Sequence, residues 1–80
     1  MLLLRLKEIV GSKVYYYYQK EGKGEWGLLC YDRGTDLCRC LKLAEGDTVE
    51  RDKYRAHAFC RIMDYCEEGH FPEEAIVAWG

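Results

Sequence analysis

Segments rich in β-forming apolar and aromatic residues recur about every ten residues in the first half of the chain, and this pattern predicts β-strands. Short turn sequences separate the segments: Gly11-Ser12, Gly22-Lys23 and Asp32-Arg33-Gly34. The sequence therefore predicts four strands joined as an antiparallel meander. They are Leu2–Val10, Lys13–Lys20, Glu25–Tyr31 and Thr35–Leu43.

The second half of the chain has the period of an amphipathic helix over residues 50–68. Asp47 or Thr48 can cap its first turn, with Glu50 as the capping-box partner, and Gly69 can end it. At 100° per residue the side chains separate into an apolar and a polar side. The apolar side holds Ala56, Phe59, Ile62, Met63 and Cys66, and the polar side holds His57, Arg61, Asp64 and Glu68.

The C-terminal segment is less informative. Pro72 followed by Glu73 and Glu74 predicts the first turn of another short element, but residues 76–79 are too few to distinguish helix from strand. Residues 1–80 are thus predicted to form one small α+β domain. It consists of a four-stranded antiparallel β-meander followed by one amphipathic helix packed on one face, plus a short C-terminal element.

The turn positions set the strand registers, and the registers decide which side chains share a face of the sheet. Counting outward from the turns pairs Arg5 with Tyr18, Tyr18 with Gly27, and Leu29 with Leu37. An aromatic ring over a strand glycine fills the gap left by the missing side chain. One face is then apolar enough to take the helix: Leu2, Leu4, Leu6, Tyr15, Tyr17, Trp26, Leu28, Cys30, Cys38 and Cys40.

The opposite face combines apolar groups, cations and phenols, which is typical of an interaction surface. Tyrosine offers a large contact area and keeps a hydroxyl for a partner. An alternative is that Ile76, Val77 and Trp79 fold over this face and close it as a second small core. The expected surface consists of Arg5, Lys7, Tyr16, Tyr18, Leu29, Tyr31, Leu37, Arg39 and Leu41.

Charge narrows the class of partner. The chain has 12 Lys and Arg against 14 Asp and Glu, a net charge of −2, which argues against bulk attraction to nucleic acid or anionic lipid. No stretch approaches the roughly 20 apolar residues of a membrane-spanning helix. We therefore expect a protein partner or self-association and no membrane, with single-stranded nucleic acid on the same Tyr/Arg/Lys face as the alternative.

The five cysteines are odd in number and no signal-peptide pattern accompanies them, which predicts reduced thiols in the cytoplasm. They include no C-x-x-C pair, and no histidine lies at usual ligand spacing from them, which argues against a metal site. We expect no metal and no cofactor. His57 and Cys60 are neighbours on the helix, but no third group is indicated that would make them a catalytic pair. The sequence thus predicts a non-enzymatic protein-interaction module, with a homodimer as one form, and it identifies neither the partner nor the biological process.

Overall fold

The computed structural model describes residues 1–78, which form one five-stranded antiparallel sheet and one helix. The elements are β1 (Leu2–Val10), β2 (Lys13–Lys20), β3 (Gly27–Asp32), β4 (Leu37–Lys42), α1 (Lys53–Glu68) and β5 (Glu74–Val77). The strand order across the sheet is β4-β3-β2-β1-β5. The α+β class and the meander of β1 to β4 are confirmed.

The chain leaves the meander at one edge of the sheet, passes over the sheet as α1, and returns at the opposite edge as β5. Leu2 at the start of β1 lies opposite Val77 of β5. The C-terminal element, which the sequence left open between helix and strand, is a strand, because β1 offers a free edge whose backbone groups β5 can pair with. Trp79 lies outside the described residues, and the described C-terminal segment extends the sheet instead of covering its second face.

Helix α1 ends as predicted and begins later than predicted. Gly69 takes a φ of 73°, and its N–H donates to the carbonyl of Tyr65 at 2.8 Å, as in a left-handed C-cap. Before the helix, the Thr48 hydroxyl accepts the Arg51 N–H at 3.2 Å. Asp47 does not cap the helix, because its carboxylate binds other groups, so this segment forms turns.

The apolar side of α1 is close to the predicted one. Ala58, Ile62 and Tyr65 are buried against the sheet, whereas Ala56 is exposed. Together with side chains from every strand except β4, they form the core. Its members are Leu2, Leu4, Val14, Tyr16, Tyr18, Leu29, Tyr31, Ala44, Ala58, Ile62, Tyr65 and Val77.

Strands β2 and β3 pack against the helix with the face that was predicted to be exposed. Tyr16, Tyr18, Leu29 and Tyr31 were expected on an exposed interaction surface, and this was wrong, because all four are buried. Side chains expected beneath the helix lie on the other face. They are Tyr15, Tyr17, Trp26, Leu28 and Cys30, and of these only Cys30 is buried.

A β-bulge in β1 is the first cause of this exchange of faces. Near the turn the register is the predicted one, with Glu8 opposite Tyr15. Lys7 is then an extra residue, and Leu6 lies opposite Tyr16. One inserted residue shifts the pairing by one position for every residue on the far side of the bulge from the turn. Side chains that would have shared a face of the sheet then lie on opposite faces. The leucines of β1 therefore join Tyr16 on the helix side.

The turn between β3 and β4 is longer than predicted, and it is the second cause of this exchange. Residues 33–36 form this turn, and Asp36 has a φ of 57°, a left-handed conformation that aspartate tolerates better than most residues. Leu29 consequently lies opposite Cys40 and not opposite Leu37. The observed register differs from the predicted one by an odd number of residues. Cys38 and Cys40 of β4 therefore lie on the same side of the sheet as Leu29.

The hydroxyls of the two buried tyrosines of β2 bind the chain on either side of α1. Tyr18 donates to Asp47 Oδ2 at 2.6 Å and accepts the N–H of Ala44 at 3.0 Å. Tyr16 donates to the carbonyl oxygen of Pro72 at 2.7 Å. Burial is the main cause of the raised pKa of both phenols. The segments before and after the helix are thereby attached to one strand.

Asp47 connects three elements through its carboxylate. Its side chain is only 1% exposed, and Oδ2 lies 2.8 Å from Nη1 of Arg55 in α1 as well as accepting the Tyr18 hydroxyl. Oδ1 accepts the N–H of Thr48 at 3.0 Å. A buried carboxylate is tolerated only when it is paired and hydrogen-bonded, so these contacts hold β2, the loop and the helix together.

The stability of the protein is expected to fall above about pH 10. Tyrosine in the unfolded chain ionises near that pH, whereas burial raises the pKa of Tyr16 and Tyr18 in the folded chain. Their contribution is therefore complete below about pH 10 and declines as the pH rises further. Urea unfolding across this range should show a shallower decline for the Tyr16→Phe/Tyr18→Phe variant, and equal declines would contradict the assignment.

Gly27→Ala is expected to lower the free energy of unfolding by about 1–3 kcal/mol. A Cβ atom at this position would lie 2.3 Å from the Tyr18 ring and 2.5 Å from the backbone nitrogen of Ala44, so the confirmed pairing of Tyr18 with Gly27 leaves no room for it. Gly34→Ala is the control, because the nearest atom, on Asp32, is 3.3 Å away. Urea denaturation should separate the two, and similar losses would count against this packing.

Candidate functional site

The face of the sheet opposite α1, called the open face here, has aromatic groups at its centre. Tyr15 and Tyr17 alternate with the buried tyrosines along β2, and Leu28 of β3 lies opposite Tyr17. Trp26 directly precedes β3. All four side chains are half-buried, and the described chain places no helix or strand over them.

Arg5 contacts both an aromatic ring and a carboxylate at the β1 side of the open face. Its guanidinium carbon lies 4.8 Å from the ring centroid of Trp26, and Nη2 lies 3.3 Å from Oε1 of Glu74. These two charged side chains are 53% and 71% exposed, so the ion pair is weak, and the cation–π contact with Trp26 adds to it. Leu3 and Ile76 are among the residues that line a groove at this position.

The bulge residue Lys7 lies beside the exposed tyrosines. Its Nζ is 2.5 Å from Oε2 of Glu8. The pKa of Lys7 is raised, first by this hydrogen bond and to a smaller extent by the nearby phenols of Tyr17 and Tyr15. The bulge that buries Tyr16 therefore also adds a cation to the open face.

The β4 side of the open face is cationic and apolar. Arg39 and the side chains of Lys13 and Lys42 form no ion pair within residues 1–78. Leu37 and Leu41 lie beside them and are 58% and 45% exposed. Asp32 lies opposite Lys13 and interacts with its charge, so this end of the face is cationic but partly balanced, and its leucine side chains are accessible.

The structure retains part of the predicted surface. The retained residues, all exposed, are Arg5, Lys7, Leu37, Arg39 and Leu41. It brings them together with Tyr15, Tyr17, Trp26 and Leu28, which the sequence reasoning assigned to the covered face. The apolar pattern of β1 does not mark the bulge. Its apolar positions include Leu3 and Val10 as well as Leu6 and Ile9, so no clean change of phase occurs at Lys7.

The cysteine thiols form neither disulfides nor a metal site among the described residues. All five cysteines are free, and within residues 1–78 no three His, Cys, Asp or Glu side chains are grouped to hold a metal ion. Burial raises the pKa of Cys38 and of Cys66, which keeps them protonated and weakly nucleophilic near neutral pH. The described helix is neither long nor apolar enough to cross a membrane.

The chain matches no protein-family model, and comparisons with curated proteins and with solved structures found no significant match. The interpretation of the open face therefore depends on its own geometry.

Arg5→Ala is expected to make Trp26 more accessible to solvent while changing the free energy of unfolding by less than about 1 kcal/mol. The chain has two tryptophans, so a Trp79→Phe background leaves Trp26 as the only fluorophore of this type. Acrylamide quenching should increase in Arg5→Ala and stay unchanged in Arg61→Ala, a matched substitution on the exposed side of α1. Unchanged quenching in both variants would rule out the stacked arrangement.

Proposed function

We propose that this protein is a non-enzymatic interaction module that binds a partner protein through the open face of its sheet. One observation carries the proposal. The open face has Tyr15, Tyr17 and Trp26 at its centre, cations around them, and no covering element in the described chain. Aromatic residues and arginine contribute most of the binding energy in many protein interfaces.

The charges of the open face favour a partner surface that is apolar and carries acidic groups. Lys13, Arg39 and Lys42 are available to carboxylates of the partner. Arg5 contacts the Trp26 ring, and its exposed pair with Glu74 is weak enough for a partner carboxylate to replace it.

The thiol chemistry supports a non-enzymatic role in a reducing compartment such as the cytoplasm. Five free cysteines are compatible with an environment that keeps thiols reduced. The raised pKa of Cys38 disfavours the thiolate form that a nucleophilic cysteine needs.

Single-stranded nucleic acid is the second candidate, favoured by half-buried tyrosines beside cations on one face of a sheet. Two observations favour protein over nucleic acid. The net charge is −2, which opposes attraction of a polyanion. Leu37, Leu41 and Ile76 are exposed aliphatic groups, which suit a protein surface and contribute little to base stacking.

Photo-cross-linking in the cells that produce the protein tests the proposal. A photoreactive phenylalanine analogue at position 17 is expected to give a defined protein adduct, and the same analogue at Arg61 on the outer side of α1 is expected to give none. Once the partner is identified and purified, Tyr17→Ala and Arg5→Glu should each weaken binding by about tenfold or more.

Three results would contradict the proposal. They are no protein adduct from position 17, the same adducts from both positions, or full affinity of both variants. Adducts to RNA or DNA from position 17, with oligonucleotide affinity that falls steeply with salt and depends on Arg5, Lys7 and Arg39, would establish the second candidate instead.

A further inference from the structure

Strand β4 is an uncovered edge of the sheet. Its six residues, Leu37–Lys42, are all exposed, and α1 packs against β1, β3 and β5. Within the described chain, the outer backbone groups of β4 have no strand partner. Natural proteins protect such edges with proline, charged side chains, bulges or a covering element. β4 has Arg39, Lys42 and a register shift against β3, but within residues 1–78 it has no proline and no covering element, so its exposed leucines leave it able to pair with another strand.

We infer that β4 pairs antiparallel with β4 of a second copy, joining the two sheets into one continuous sheet. A two-fold axis perpendicular to the sheet relates the two strands, so the open faces of both copies point the same way. The inference goes beyond the proposed function, because it concerns the edge of the sheet. It uses Leu37, Arg39 and Leu41 at that edge and leaves the aromatic centre of the open face to a partner.

The sequence of β4 is self-complementary in one register. With Arg39 on the two-fold axis, Leu37 of each copy lies opposite Leu41 of the other, so the exposed leucines cover each other on the open face. On the helix side, Cys38 of each copy lies opposite Cys40 of the other. Pairing ends at Leu41, because the register of β4 with β3 shifts between Cys40 and Lys42.

Registers displaced by two residues fit less well. Centring on Cys40 places Leu41 opposite Arg39, and Leu37 opposite Leu43, which lies outside the strand. Apolar pairs directly opposite each other stabilise a sheet. The register centred on Arg39 places leucine opposite leucine twice, so it buries more apolar surface than the register centred on Cys40.

Arg39 limits the strength of this association. In the register above it faces its own counterpart, and directly opposed like charges on a sheet are unfavourable. Arg39→Thr is therefore expected to strengthen the dimer by about two- to fivefold. An equal mixture of wild type and Arg39→Glu should form heterodimers in preference to either homodimer.

Thiol cross-linking tests the register directly. In a Cys60→Ser background, diamide takes two hydrogens from a pair of facing thiols and joins them as a disulfide. Cys38→Ser alone and Cys40→Ser alone each lack one partner of the facing pair and should cross-link slowly. A mixture of the two variants restores one facing pair, so it should give a covalent dimer much faster, with Cys38 linked to Cys40.

Sedimentation measures the association without oxidation. Wild type and Arg39→Thr should approach twice the 9.4 kDa mass of the chain as concentration rises, and Leu37→Asp/Leu41→Asp should remain monomeric. Ile76→Asp, at the opposite edge of the sheet, is the matched control and should dimerise like wild type. Monomeric Arg39→Thr at high micromolar concentration would overturn the inference, as would single-cysteine variants that cross-link as fast as their mixture.

Discussion

Two phenol hydroxyls beneath the helix determine how the rest of the chain is arranged. A buried hydroxyl without a hydrogen-bond partner is costly, so Tyr16 and Tyr18 can lie under α1 only if nearby chain supplies acceptors. Asp47 before the helix and Pro72 after it do so. The helix is consequently fixed over β2 by both of its connecting segments, and the ion pair between Asp47 and Arg55 attaches its first turn.

The same tyrosine run also produces the open face. Consecutive residues of a strand point to opposite sides, so four tyrosines in a row must divide between the two faces. Tyr16 and Tyr18 use their hydroxyls inside the core, which leaves Tyr15 and Tyr17 with theirs available to a partner. Whichever pair is buried, the other face is aromatic. The charged groups beside the exposed pair then decide which chemistry the face can bind.

Local signals made the strands and the end of the helix predictable, and non-local ones did not. Glycine turns fixed β1 and β2, and Gly69 fixed the end of α1. Lys7 becomes a bulge and Asp36 becomes left-handed only because the assembled sheet requires it, so neither register followed from turn residues alone. β5 is too short to show a period and exists because β1 has a free edge. For the candidate site, the sequence predicted that tyrosines and cations share one face. It did not predict which tyrosines, because two register shifts placed Tyr15 and Tyr17 on that face in place of Tyr16 and Tyr18.

The pairing of Leu2 with Val77 has a consequence for how the domain can be joined to other polypeptides. Both ends of the described chain leave the sheet at the same corner, on the side away from β4. A fusion partner or an affinity tag attached at either end therefore starts far from that edge. The whole unit can also be inserted into a surface loop of a host protein. The two cut ends of that loop need to be only about one strand spacing apart.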